Sequence, residues 1–494
     1  MGKLSELFQK NKKQEEKKTS EASKAVEETA SKGSVQNAES ATSSSEKNEN
    51  SEQSAPEGSF VLGVQDVFEL RHSKAVVVVG RVQGIVKNSM SVYVSEFGAD
   101  DGAVYQTTIK GLEIEEKSVR EAVNCMVALK LDAPQPMHVR IGSIVHTADA
   151  TTKAAHDAYI TAIGDTYVAR KNLDLAESEL EAMSIADLAE AWRLFNWFHA
   201  NKNIKESEEE KREKQKKVEK LADALCRKIL EADEIYTIYD KATGEPHLFS
   251  QTYRQEDGSY MCSHPDIMLI PKAYYQTYAA TYPASKFEVR KIENGEEKNG
   301  IRDFLGDAFY LNGACGALIC SEQTSVDAEK LVLKPDYGDT PQADIPVTNP
   351  DLVRWMLLIG QMGRPESPDA ELVYRLYYRF MAKELMKANF VIPMKTEGET
   401  PQPDESGRTV LKKDMKIAFP MMPGKKDRDA VRMYTDWKRL RKVFDEEWNG
   451  MIQPIEGMIE TFDCAINVTE YPAAGCYIGK DMFEEIQKIA QSAK

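Results

Sequence analysis

FVLGVQDVFELRHSKAVVVVGRVQGIVKNSMSVYVSEF (60–97) and YQTTIKGLEIEEKSVREAVNCMVALKLDAPQPMHVRIGSIVHT (105–147) decide how the first half of this chain folds. Short apolar or alternating segments, Val76–Val82, Met90–Val94, Thr107–Leu112 and Met126–Leu131, are separated by Gly, Asn, Asp and Pro. In a strand, successive side chains point to opposite faces, so this alternation puts one face in a core and the other in water. Several such segments with turn residues between them predict a small antiparallel β-barrel over residues 59–148.

Particular residues in this stretch carry a resemblance. Asp66-Val67-Phe68 stand in the entering strand, followed by Val78-Val79-Gly80-Arg81-Val82 with Gly84, and by Thr107-Thr108-Ile109. Gly111-Leu112-Glu113 and a closing Arg140-Ile141-Gly142-Ser143-Ile144-Val145 complete the set. In that order they resemble the second domain of elongation factor Tu and related translation factors. Asn88-Ser89-Met90-Ser91 takes the place of the Gly-Asp turn usual in that family. The chain contains no GxxxxGK[ST] loop to cradle phosphates, so the resemblance implies a docking module rather than half of a GTPase.

The chain has 494 residues, enough for about three domains. Its formal net charge of −16 argues against bulk electrostatic binding to nucleic acid or an anionic membrane. Seven scattered cysteines with no CxxC pair read as reduced thiols, and no apolar run approaches the length of a membrane span. The expectation is a soluble, cytoplasmic protein.

Residues 1–58 read as a tail dominated by Ser, Glu, Lys, Asn and Ala, with Leu4, Leu7 and Phe8 on one face of a short helix. Too few apolar residues are available there to offset the entropy of ordering the backbone, which predicts disorder. A helical connector is expected over 149–214. Ser184 and Asp187 open a helix with Ile185, Leu188, Trp192, Phe195 and His199 along one stripe, a core pattern in which His199 packs or caps. Ile204–Lys220 is nearly all Glu, Lys, Arg and Gln, a solvated helical face.

From residue 215 onward the chain reads as the same α+β order twice, over 215–333 and 351–494, with a Pro/Asp/Gly/Thr-rich linker at 334–350. The first copy has a helix carrying Val218, Leu221, Leu225 and Ile229, a strand at Ala232–Ile238, a polar hairpin at Thr252–Ser259, and strands at Ile267–Pro271 and Cys315–Cys320. The second has a helix carrying Leu372, Leu376 and Phe380, then strands at Ala388–Met394, Ala430–Tyr434 and Cys464–Val468. Closing helices are expected near Asp327 and Asp481. Ala388–Pro393, Ile417-Ala418-Phe419-Pro420, Tyr434-Thr435-Asp436 and Ala465-Ile466-Asn467 resemble the N-terminal domain of the enhanced serine sensitivity (SseB-type) family. Asp436 stands where that family has Ser, and Val468 where it has Pro. Gly244–Phe249 and Pro265–Tyr274 make the first copy similar more loosely. The resemblance implies a fold and no reaction.

The fold class read from all this is multidomain: a small all-β barrel like translation-factor domain 2, a helical connector, and two SseB-like α+β units. No HExxH, GxSxG, GxGxxG or zinc-finger spacing occurs, so no catalytic residue, cofactor or metal is expected. Cys262 and His264 would supply only half a metal site. Cys315 and Cys320, five apart on a strand, face opposite ways. Tyr434, Asp436, Asn467 and Tyr477 are the candidate lining of a groove between the two copies, with Gly313, Gly316 and Gly475 marking tight turns beside it. Lys425, Lys426, Arg428, Arg439 and Arg441, with Lys438 and Lys442, form the one basic concentration in the sequence, either a patch for an acidic partner, RNA or nucleotide, or a solvated loop and helix face, flanked by Trp437 and Trp448. The leading expectation is a non-enzymatic adaptor with protein partners. A translation-associated RNA-binding factor is the alternative, disfavoured by charge, and an enzyme or small-molecule sensor with a pocket between the copies is the second.

Overall fold

The computed structural model describes residues 59–70, 74–97, 104–133, 137–200, 207–321, 324–341, 344–397, 416–424 and 428–492. The expected tail with Leu4, Leu7 and Phe8, and Lys425 and Lys426 of the basic concentration, lie outside the described residues. The chain divides into two compact units. One holds the residues up to Lys228 with Pro271–Tyr274, the other Ile229–Ile270 and the residues from Tyr275 onward.

In the first unit, strands β1 (Phe60–Leu70), β2 (Ala75–Lys87), β3 (Ser91–Glu96), β4 (Tyr105–Ile114), β5 (Lys117–Val119), β6 (Glu121–Val123), β7 (Met126–Asp132) and β8 (Ser143–His146) follow one another. Six of them close a circuit in the order β1-β8-β3-β4-β7-β2, with β2 pairing back onto β1, every pair antiparallel. Closure leaves no free edge, so each strand satisfies its backbone groups on both sides. Phe60, Leu62, Val64, Val78, Val82, Val92, Val94, Ile109, Leu112, Leu129 and Leu131 point inward and fill the interior. At about 1.5–3 kcal/mol for each fully buried side chain of this size, this interior is the main stabilising term of the barrel.

The residues after the barrel form helices α1 (Thr152–Ile163), α2 (Glu177–Ala182), α3 (Ile185–Ala200) and α4 (Glu208–Glu231), with a π-helical turn over Gly164–Arg170. Helix α1 packs on β1. Gly63 makes this possible: a Cβ there would stand 2.1 Å from the Ala158 carbonyl oxygen. Asp187 ties the group together. Ser184 and Asp187 cap the start of α3 reciprocally, Asp187 N to Ser184 Oγ at 3.1 Å and Ser184 N to Asp187 Oδ2 at 2.7 Å. The same fully buried carboxylate accepts from Tyr159 Oη at 2.8 Å and pairs with the Arg140 guanidinium next to β8. Where the charge pattern predicts a connector ending at 214, α4 runs unbroken to Glu231. Its Lys217 and Lys220 donate to the carbonyls of Asn172 and Leu175 at 3.0 and 2.7 Å.

The second unit has two halves. The first contains β9 (Glu234–Asp240), β10 (Glu245–Pro246), β11 (Thr252–Arg254), β12 (Tyr260–Cys262), β13 (Ile267–Ile270), α5 (Tyr275–Thr281), β14 (Phe287–Glu293), α6 (Gly300–Tyr310), β15 (Gly316–Ile319), β16 (Ser325–Asp327) and α7 (Ala328–Leu331). The second contains α8 (Pro350–Met362), α9 (Pro368–Leu385), β17 (Asn389–Glu397), β18 (Lys416–Ala418), β19 (Met421–Pro423), β20 (Asp429–Met433), α10 (Trp437–Arg441), β21 (Asn449–Pro454), α11 (Glu456–Ile459), β22 (Asp463–Ile466), β23 (Cys476–Ile478) and α12 (Lys480–Gln491). The first half orders its strands β14-β9-β13-β15-β16, with β13 and β15 parallel and the other pairs antiparallel. The second orders them β21-β17-β20-β22-β23, with β20 and β22 parallel. Reciprocal 2.9 Å backbone bonds between Val391 and Tyr434 join β17 to β20. The two halves therefore share one strand order, one set of pairing senses and one chain order.

Replacing Asp187 by Ala removes the buried partner of the half-buried Arg140 guanidinium, which keeps Glu96 at 3.5 Å, leaves the buried Tyr159 hydroxyl without its acceptor, and uncaps α3. Breaking a buried pair from one side costs about 3–5 kcal/mol. Urea unfolding followed by far-UV circular dichroism will show the barrel unit's transition at markedly lower urea.

Candidate binding cleft

The parallel pair β20 and β22 ends at Met433 and Ile466, and the chain beyond both ends builds a polar cluster. In α/β sheets the carboxyl ends of parallel strands are the usual place for a crevice, because the chain departs there in different directions. Thr435 and Asn467 clasp each other: Thr435 N donates to Asn467 Oδ1 at 3.1 Å, and Asn467 Nδ2 to Thr435 Oγ1 at 3.0 Å. Asn467 sits at φ +51°, a left-handed conformation that Asn tolerates through its short polar side chain. Thr435 Oγ1 donates to Asp436 Oδ2 at 2.9 Å, while Asp436 Oδ1 caps α10 by accepting from Arg439 N at 2.8 Å. Asp436 is 2% exposed, which a carboxylate tolerates only when paired; Arg439 Nη1 supplies the partner at 2.5 Å.

Arg439 also reaches the first half. Its Nη2 donates to Asn312 Oδ1 at 2.5 Å, and Asn312 Nδ2 donates to Glu245 Oε2 at 3.1 Å. Glu245 Oε1 stands 3.6 Å from both Arg439 Nη2 and Lys442 Nζ. Gln361 on α8 adds a second tie, accepting from Leu248 N at 3.1 Å and donating to the Pro246 carbonyl at 3.2 Å. Beside these ties, Gly244, Glu245, Tyr434, Arg439, Lys442, Asn467 and the loop from Thr469 to Ala473 line a cleft of about 90 Å³. Gly244 holds φ +66°, and a Cβ on it would meet the Pro472 carbonyl oxygen at 2.6 Å, so this crossing of the halves admits only glycine without a shift.

Of the four residues expected to line a groove, Tyr434, Asp436 and Asn467 come together here. Tyr477 lies elsewhere, on β23, its hydroxyl donating to Asp463 Oδ2. Arg428 joins that second cluster, 3.1 Å from Asp463 Oδ1 and 2.8 Å from the Ile459 carbonyl. The described basic residues thus stand in separate clusters. Arg441 donates to the Asp445 and Trp448 carbonyls with its guanidinium over the Trp437 ring, Lys438 pairs with Asp307, and only Arg439 and Lys442 face the cleft. Glu245, Asn312 and Gln361 were not anticipated. Each is a lone polar residue in its own segment, without a local pattern, and becomes part of the cluster only through tertiary contact.

Two buried groups near the cleft are under-satisfied. The Tyr434 hydroxyl completes no hydrogen bond, and burial pushes its pKa up, with the Arg432 guanidinium opposing. His247, two residues from Glu245, has its Nδ1 3.8 Å from Asp240 Oδ2 with neither atom hydrogen-bonded. Burial, aided by Lys286, lowers its pKa to about 4.

No protein-family model matches the chain, and no curated protein matches it. Among solved structures, the chain is similar to the apo form of translation elongation factor SelB from Methanococcus maripaludis. Identity is 23%, over 19% of this chain and 20% of that one, with a TM-score of 0.16. The chain spans about a fifth of that protein's length.

Tyr434→Phe removes an unpartnered hydroxyl and keeps the ring, so urea unfolding should find the variant equal to the parent or up to ~1 kcal/mol more stable. For His247 the folded pKa of about 4 lies below the unfolded value of 6.5, so its contribution is complete above pH 6.5 and is lost as pH falls from 6.5 toward 4. His247→Phe should lose part of that acid limb: its stability, measured by urea unfolding, will fall less between pH 7 and pH 4.5 than the parent's.

Proposed function

We propose that this chain is a non-catalytic cytoplasmic adaptor or regulatory protein that binds protein partners through the barrel and through the paired α+β halves. In this reading the closed barrel is a docking module like translation-factor domain 2, and the two halves are SseB-type units. The strand order that the two halves share supports reading them as a pair. Among the described residues no helix is long and apolar enough to cross a membrane.

The observation that carries the reading is the hairpin β11–β12. Among the described residues it pairs with no other strand, and this is where a further strand could add. Tyr253 and Met261 stand directly opposite each other on one face of the hairpin, 46% and 54% exposed. Thr252 and Cys262, on the other face, turn inward, with Thr252 Oγ1 3.5 Å from Tyr377 Oη. An outward-facing apolar pair on such a hairpin is what a strand-adding protein partner recognises, since backbone bonds supply affinity and the side chains supply selectivity.

The test is affinity capture from the source cell's lysate, with and without RNase, comparing the full chain with Tyr253→Ser/Met261→Ser. A discrete protein set that resists RNase and is lost with the double variant is the expected result. Capture that vanishes with RNase and ignores the double variant would overturn the reading in favour of an RNA-binding factor.

A further inference from the structure

We propose that the cationic corner formed by Arg439 and Lys442 is an oxyanion site, taking a carboxylate or phosphate group, and that the Glu245 carboxylate occupies it as a built-in competitor. Three observations carry this. Glu245 reaches from the first half of the unit into a corner built by the second, at the carboxyl ends of its parallel strands. Its Oε1 faces both cations at 3.6 Å, beyond hydrogen-bonding range, so neither contact is closed, and among the described residues its carboxylate accepts one direct hydrogen bond, from Asn312 to the other oxygen. The adjoining space of about 90 Å³ is about three water molecules' share of liquid volume, enough for a carboxylate or phosphate group.

The two cations differ in what they can offer. Arg439 is held by Asp436 and Asn312, which fixes its planar fork in place. The Lys442 side chain is 47% exposed, and among the described residues its ion-pair contact is the open one to Glu245, so its ammonium can turn to an incoming anion. Glu245 opposes an incoming anion by like-charge repulsion beside the same two cations, so the anion binds best when Glu245 gives way. Occupancy therefore competes with one of the ties between the halves. The inference stands apart from the partner-binding reading, since it concerns neither the hairpin nor the barrel.

The experiment titrates inorganic phosphate and, separately, acetate into the full chain at constant ionic strength, with sodium chloride as the reference, and follows binding by calorimetry. Glu245→Gln keeps the shape and the bond from Asn312 while removing the competing charge, so it should bind at least one probe saturably and about tenfold tighter than the parent. Glu245→Gln/Lys442→Met should lose that gain. Saturation by phosphate alone identifies a phosphoryl-bearing ligand, by acetate alone a carboxylate, and by both an undiscriminating oxyanion site; each supports the proposal. Equal affinity of parent and Glu245→Gln, absence of saturable binding to Glu245→Gln, or a tightening that survives Lys442→Met would each overturn it. Thermal unfolding of every variant, run alongside, establishes that the compared proteins are folded.

Discussion

Two strands that lie side by side and parallel cannot be joined by a tight turn: the chain must leave one, cross over, and re-enter at the same end. That constraint shapes both halves of the second unit. Between β13 and β15 the chain makes α5, the outer strand β14 and α6; between β20 and β22 it makes α10, β21 and α11. Each excursion supplies the strand that covers the far edge and the helices that cover a face. The parallel pair also fixes where the polar residues gather, because its two carboxyl ends lie together while the chain leaves them in different directions. Thr435, Asp436 and Asn467 stand in those departing segments, and they hold one another in the absence of a regular ladder.

Much of this was legible in the sequence, and the failures have physical reasons. The barrel announced itself through short apolar or alternating segments; Ala75–Val79 is a continuous apolar run in sequence, and the closed sheet sorts it by burial, Val76 and Val78 buried and Val77 and Val79 half-buried. The paired α+β order was visible in the buried strands β9, β13, β17 and β20, whose apolar runs have no other use. The outer strands β14 and β21 escaped notice. Phe287–Glu293 reads FEVRKIE and is exposed or half-buried throughout, so its pattern carries no strong strand signal. The helix α8 escaped for a different reason: it follows directly on a loop-like stretch rich in Pro, Asp and Gly, and its apolar residues were absorbed into the linker's edge. The boundary expected at 214 dissolved because helix geometry does not end where composition changes; charged residues through Lys220 and apolar ones from Leu221 share one cylinder.

Site residues divided along the same line. Tyr434, Asp436 and Asn467 come together because they lie just past the carboxyl ends of β20 and β22, while Tyr477 stands apart from them because β23 directs its hydroxyl to Asp463. Glu245 and Asn312 could be reached only from the folded structure, since their partner Arg439 lies more than a hundred residues away.

Cys320 and Asn467 close the comparison of the halves. Each follows the second strand of its parallel pair, each has a left-handed backbone, at φ +59° and +51°, and each donates its N–H to the strand alongside, to Leu269 O and Met433 O. The bend is thus a demand of the architecture, met twice by different residue types, and the contacts attached to it differ. In one half the Cys320 carbonyl accepts from the Tyr278 hydroxyl; in the other the Asn467 side chain clasps Thr435. Two copies of a frame allow such divergence: the backbone bend is kept while the side chains at the strand ends change.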